Sequence, residues 1–177
     1  MGLPSGLLWA SCNVGAGKLN DPGLYFSWGN VVGHDADEGY NFSQTVYDTT
    51  PAAAIDTDLS LDQDAARVNL GAPWRMPTTA EFQELYDNCT SVWTTLDGVN
   101  GRLFTSNENG NTLFFPAAGN INNMSHRDQG LSGDYWSSSY LSVTNARFMS
   151  LSSSNVNPQY YGNRRLGFSV RAVMPPL

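Results

Sequence analysis

The stretch PTTAEFQELYDNCTSVWTTLDGVNGRLFTS, residues 77–106, changes its apolar period part-way along, and that change decides the fold class. From Pro77 to Cys89 the apolar residues Phe82, Leu85, Tyr86 and Cys89 recur at helical spacing on one face. Thr78 stands three residues before Glu81, the spacing of a capping box that opens a helix. From Ser91 onward the pattern is strand-like, rich in Val, Thr, Trp and Phe and broken by Gly and Asn. More segments of that kind follow: NTLFFPAAG (111–119), YWSSS (135–139), ARFMSLS (146–152) and GFSVRAV (167–173). Helices in the middle and strands towards the end predict an α+β domain rather than alternating βαβ units. The expected architecture is two short helices and a mainly antiparallel sheet with long loops.

Upstream, GLLWASCNVG (6–15) reads as an opening strand that leaves through glycines. Residues 16–60 are turn-rich, with NDPG, SWGN and DADEG, and predict long surface loops. LSLDQDAARVNLG (59–71) predicts a first short helix, with Asp62 at its N-cap, Asp64 near its positive end and Gly71 closing it. No internal repeat or linker interrupts residues 1–177, so one domain is expected. Trp74, Met76, Phe82, Leu85, Trp93, Phe114, Phe115, Trp136, Met149 and Leu151 are its expected core.

Composition excludes several classes. Apolar residues make up 41% and charged residues only 14%, a balance that supports a packed core and argues against disorder. Residues 1–100 carry three basic against thirteen acidic side chains, and residues 101–177 carry six against three. A net charge of −7 leaves no basic face for nucleic acid, and the single lysine, Lys18, rules out a polybasic membrane patch. No apolar run approaches the roughly 18 residues of a membrane span, and no signal peptide is visible at MGLPSGLLWASCNVG. Direct membrane insertion is not expected. Cys12 and Cys89 either form a disulfide, if the fold brings their α carbons within about 7 Å, or remain two free thiols. Neither has a histidine or second cysteine nearby, which predicts no zinc site.

Two other constellations read better as ordinary surface. DTDLSLDQD (56–64) places oxygen side chains at alternate positions, as a calcium loop does. Leu61 then stands where that loop needs Gly, and Val68 where it needs a bidentate Glu. His126 has Ser125 and Asp128 beside it, but no G-x-S-x-G elbow accompanies them. No metal, cofactor or catalytic residue is expected.

The C-terminal third is the informative part. In ARFMSLS, Met149 and Leu151 share one strand face while Phe148, Ser150 and Ser152 share the other. If Met149 and Leu151 face the core, Phe148 points outward among serines. Tyr160, Tyr161, Asn163 and Arg165 follow within a few residues, and Tyr, Ser, Asn, Gly and Arg are the mixture that binding loops favour. Tyr140, Thr144 and Asn145 join this set from the preceding loop.

GLPSGLLWASCNVGA, DAARVNLGAPWRMPTTAEFQELYDNCTSVWTT, NGNTLFFPAAG, GDYWSSS and NRRLGFSVRAV together resemble the Fibrobacter succinogenes major paralogous domain family. The resemblance runs from about residue 3 to residue 173 and is weakest over 16–60. It implies a C-type lectin-like fold of the formylglycine-generating-enzyme-like branch, also used by the variable proteins of diversity-generating retroelements. In such proteins the last strands and their connecting loop form a ligand-binding face, whose asparagine codons are diversified by adenine-directed mutation. The resemblance therefore implies variable positions at Phe148, Ser150, Ser152, Ser154, Tyr160, Tyr161, Asn163, Arg165 and Leu166. It implies scaffold at Trp136, Met149, Gln159 and Arg164. The related oxidases need C-terminal cysteines, and no cysteine follows Cys89, so no enzyme is expected. The implied role is a binding module on a cell surface, pilus tip or phage particle. Its partner would be a protein or glycan on a host or bacterial surface. The alternative is a structural domain of a larger surface protein without a ligand of its own.

Overall fold

A computed structural model describes residues 1–44 and 54–176. The chain is α+β and mostly antiparallel β, with two short helices among the described residues. Strand β1 (Leu8–Trp9) pairs with β10 (Val173–Met174), so the two ends of the domain are tied together. Helices α1 (Ala65–Leu70) and α2 (Thr79–Asp87) precede a meander of β2 (Cys89–Leu96), β3 (Val99–Ser106) and β4 (Thr112–Pro116). A small ribbon of β5 (Asn120–Asn122) and β6 (Ser125–Arg127) follows. Then come β7 (Ser132–Tyr140), β8 (Asn145–Ser152) and β9 (Val156–Asn163), in the order β7-β8-β9.

Local chemistry explains both helices. Thr78 accepts from the Glu81 N–H while Glu81 accepts from the Thr78 N–H, so the capping box forms as its spacing predicts. Arg75 clamps the same carboxylate with two N–H···O bonds of 2.8 and 2.6 Å. Phe82 and Leu85 turn inward, but Tyr86 lies outside the buried stripe and is exposed. The N-cap of α1 is Asp64, not Asp62. Its buried carboxylate accepts from Arg67 N and from Met76 N, which also fixes the chain beyond the helix. Asp62 is exposed and lacks that second donor. Gly71 ends the helix as expected, with φ 79°.

Two aromatic-rich cores lie on opposite faces of the β7-β8-β9 sheet. Adjacent residues of β7 point to different ones, Trp136 to the first and Tyr135 to the second. The first core joins Trp136, Ala146 and Phe148 to Phe26, Trp28, Phe168 and Val170. The second joins Tyr135, Met149 and Leu151 to Phe82, Leu85, Phe104 and Phe115. Eight of the ten expected core residues are buried, and Trp74 and Trp93 are partly covered. The described part of the 16–60 loop region is therefore not all surface: Tyr25, Phe26, Trp28 and Phe42 come from it and are buried. Residues 45–53 of that region lie outside the described residues.

Residues 167–172 do not form the regular strand that their alternation suggests. Isolated bridges join Phe168 to Phe26, Gly167 to Ile121 and Ser169 to Tyr135 instead. This segment is wedged between other elements, so its hydrogen bonds are divided among them. Arg171 within it is fully buried, donating to Asn13 Oδ1 and to the carbonyls of Ala10, Ser11 and Phe114. Its guanidinium also lies over the Phe115 ring, and burial pushes its pKa down to about 10. Both cysteines are free thiols.

Candidate functional site

The site begins with a strand that the sequence conceals. VNPQYYGN has no clean alternation and contains a proline, yet it forms β9 and pairs with β8. The register explains how Pro158 is accommodated. Phe148 pairs with Tyr160 and Ser150 with Asn157, so Pro158 and Gln159 together oppose the single residue Met149. That is a β-bulge on an edge strand, one of the few sheet positions where a missing N–H is tolerated. Residues 154–166 are thus a tight turn, an edge strand and a second turn.

Both turns are anchored. At one end Ser152 N donates to Asn155 O, and Arg102 of β3 donates to the carbonyls of Ser152 and Ser153. At the other, Arg164 N donates to Thr144 O, Trp28 N donates to Arg164 O, and the Arg164 guanidinium lies 4.7 Å from the Trp28 ring centre. Arg164 is buried, the scaffold position the resemblance implied. Between the anchors Gly162 passes over Phe148, where a Cβ would stand 3.0 Å from the ring. A side chain there would press on the aromatic ring beneath it, which would have to give by a few tenths of an ångström.

Phe148 is the principal correction to the expected face. It is 5% exposed, packed against Trp136 (ring centres 5.7 Å apart) and Phe168 (4.6 Å). The expectation assumed that a strand burying Met149 and Leu151 has a wet reverse side. Because β8 is central, and Phe168 roofs that reverse side, both faces are dry at Phe148 and Met149. Ser150 is also directed inward: it hydrogen-bonds Asp134, whose buried carboxylate also accepts from Asn120 Nδ2 at 3.0 Å. Burial pushes the Asp134 pKa up to about 6, with these two donors opposing the rise.

The remaining expected residues divide between the two ends of the hairpin. Ser152 and Ser154 sit at the β8–β9 turn, their hydroxyls 3.2 Å apart. Thr144, Asn145, Asn163, Arg165 and Leu166 gather at the opposite end, where Asn145 pairs with Asn163. Seven residue steps of extended chain, about 23 Å, separate Ser152 from Asn145. One contiguous face does not hold both groups. Tyr140 is half-buried beside Trp28, with ring centres 6.1 Å apart, and belongs more to the core margin than to the surface.

Tyr160 and Tyr161 are the most prominent pair, 51% and 58% exposed, with rings stacked 6.0 Å apart. Tyr160 also meets the edge of Phe148 at 5.4 Å. The open end beside them is a cleft of about 380 Å³ lined by Ser43, Asn122, Asn123, Asn163, Arg165 and Leu166. Asn122 and Asn123 went unnoticed in the sequence because the short β5–β6 ribbon that delivers them carries no apolar period. Arg147 was missed too, although a cation on the Met149 side of β8 signals where that face runs out of core.

The other polar groups singled out in the sequence are used locally. His126 lies within 2.9 Å of Ala118 O and 3.0 Å of the Tyr25 hydroxyl, against whose ring it packs edge-on. Asp56 pairs with Arg147, Asp58 accepts from Ser138, and Asp64 caps α1. No helix among the described residues is long and apolar enough to cross a membrane. Comparison with family models, curated proteins and solved structures returns no match to this chain.

Proposed function

We propose that this chain is a non-enzymatic ligand-binding domain of C-type lectin-like fold, akin to the variable proteins of diversity-generating retroelements. It would be displayed on a cell surface, pilus tip or phage particle and contact a protein or glycan on a host or bacterial surface. The carrying observation is the contrast at β9: two stacked, half-exposed tyrosines on a strand whose flanking turns are held by Arg102 at one end and by the buried Trp28 and Arg164 at the other. Large aromatic area on a rigid support is what a binding surface needs, because little entropy is lost when it is covered. The pairing of β1 with β10 and the family-like motifs support the fold reading. The contacting set is Tyr160, Tyr161, Asn163, Arg165 and Leu166 with Thr144 and Asn145 at its margin. Phe148 supports it from beneath, against Tyr160 and Gly162.

Binding of the parent chain and of the Tyr160→Ala/Tyr161→Ala/Arg165→Ala variant to arrays of bacterial surface proteins and glycans tests this reading. The parent is expected to retain at least one target and the variant to lose it. Equal binding by both, with matching thermal midpoints, refutes the assignment and leaves the alternative of a structural domain. A near-copy of the DNA for residues 135–171 beside a reverse transcriptase gene would establish the retroelement relationship separately.

A further inference from the structure

A second polar cleft, of about 340 Å³, lies beside the start of α2, and residues on the Met149 side of β8 and β9 help to line it. Its polar lining includes Asp56, Asp58, Ser139, Arg147 and Gln159. The loop that supplies both aspartates is clipped to β7: Asp56 N donates to Tyr140 O, Tyr140 N to Thr57 O, and Leu59 N to Ser138 O. The bulge in β9 brings Gln159 to this side, where its Nε2 donates to Gln83 Oε1 at 2.9 Å. Arg147 Nε donates to Asp56 Oδ1 at 2.8 Å, and Ser138 Oγ donates to Asp58 Oδ1 at 2.8 Å.

These contacts hold the walls without exhausting them. Among the described residues, the two terminal NH₂ groups of Arg147, the second oxygen of each aspartate, the Gln159 carbonyl and the Ser139 hydroxyl proton make no further hydrogen bond, although Asp58 also feels the charge of Arg75. The cleft therefore offers donors and acceptors side by side. An anion would face two carboxylates, and an apolar ligand would leave every one of these groups unsatisfied. Vicinal hydroxyls satisfy both kinds, since each donates one hydrogen bond and accepts others. Tyr161 is the register partner of Arg147, so it projects on the same side, and it is 58% exposed. The negative face of its ring suits the C–H face of a sugar. The volume lies at the small end of ligand sites, enough for one or two sugar rings.

We propose that this cleft is a subsite for a neutral pyranose ring, held by direct hydrogen bonds to Asp56, Asp58, Arg147 and Gln159 and stacked on Tyr161. It goes beyond the tyrosine face, requires neither Asn163 nor Arg165, and shares only Tyr161 with it. Saturation-transfer NMR on the whole chain, with the methyl glycosides of glucose, galactose, mannose and N-acetylglucosamine as probes and a chelator present, tests it. At least one glycoside is expected to receive saturation on its ring protons. Arg147→Met and Asp58→Asn should each weaken that glycoside about tenfold or more, the scale of a hydrogen bond to a charged group. Arg165→Ala should leave it unchanged. Asp58→Asn preserves side-chain shape, so it remains informative if Arg147→Met fails to fold. No transfer to any glycoside, an unchanged signal in Asp58→Asn, or displacement by free glycine would each overturn the proposal. Arg165→Ala separates the two sites: lost array binding with an intact glycoside signal supports both, while unchanged array binding counts against the tyrosine face alone.

Discussion

Strands β8 and β9 have the same length and run beside each other, yet they treat an aromatic residue in opposite ways. Phe148 and Tyr160 are register partners with ring centres 5.4 Å apart, one almost fully buried and the other half in solvent. The difference lies in the neighbours. Strand β8 has β7 on one side and β9 on the other, with Phe168 covering the Phe148 face and α2 the Met149 face. Strand β9 also meets α2, but it has a strand on one side only, and the cover supplied by Phe168 ends at Phe148. Whether a position in this hairpin can change its side chain is thus set by its place in the sheet, more than by the local mixture of serine, tyrosine and asparagine.

The largest effect expected from that contrast is at Phe148. Truncating it to alanine removes contacts with Trp136, Phe168 and Tyr160 from a dry site, and should cost about 3–5 kcal/mol. Tyr160→Ala, directly opposite, should cost about 1 kcal/mol or less. Urea unfolding of the two variants beside the parent measures both. Equal losses would mean that the central and edge strands do not differ as described, and the contrast would fail.

A smaller effect tests the polar part of the same sealed face. Asp134 pairs in register with Ser150 and is buried, so its folded-state pKa is raised from 3.8 to about 6. A raised acid binds its proton more tightly in the folded state. The stability linked to it is therefore complete below about pH 4 and is lost as pH rises through about 6. Two pKa units correspond to about 3 kcal/mol, an upper bound here. Asp134→Asn should flatten this part of the pH profile, exceeding the parent in stability at pH 8 by about 1–3 kcal/mol. Unfolding midpoints measured from pH 4 to 8 decide it. A parent whose stability does not fall over that interval would show the Asp134 site to be wetter than the geometry implies.

Much of the framework was legible in the sequence because it rests on local rules. The capping box at Thr78 needs only residues three apart, and the alternation that buries Met149 and Leu151 needs only one strand. What was not legible depends on partners distant in the chain. Phe148 is dry because Phe168 lies on it and because 156–163 pairs as a third strand, despite a proline that argues for a loop. Arg171 occupies a polar position of the alternation in 167–173 yet is buried, and its burial is supported by oxygens of residues 10, 11, 13 and 114 that no local pattern associates with it. At the candidate site, Tyr160 and Tyr161 were legible from composition. The 23 Å division between the serine turn and the Asn163 end was not, because it requires the strand register.

The smallest expected effect is the one on which the binding reading depends. Tyr160→Ala/Tyr161→Ala/Arg165→Ala removes three exposed side chains from the edge of β9 and the turn beyond it. The backbone bonds that hold those segments, Arg164 N to Thr144 O and Trp28 N to Arg164 O, involve none of the three side chains. Truncating both tyrosines removes their mutual stacking, and Tyr160 also loses its edge contact with Phe148. An aromatic pair contributes about 0.5–1.5 kcal/mol beyond its buried area, less where the rings are half in water. The sum should remain near 1 kcal/mol, the scale of surface substitutions. A library randomised at Tyr160, Tyr161, Asn163 and Arg165 should accordingly yield mostly folded chains, whereas one randomised at Phe148 should keep only bulky apolar residues. Sorting both libraries for protease resistance compares them directly. If the edge-strand library loses folded chains as severely as the Phe148 library, these tyrosines are part of the scaffold, and β9 cannot serve as a tolerant binding edge.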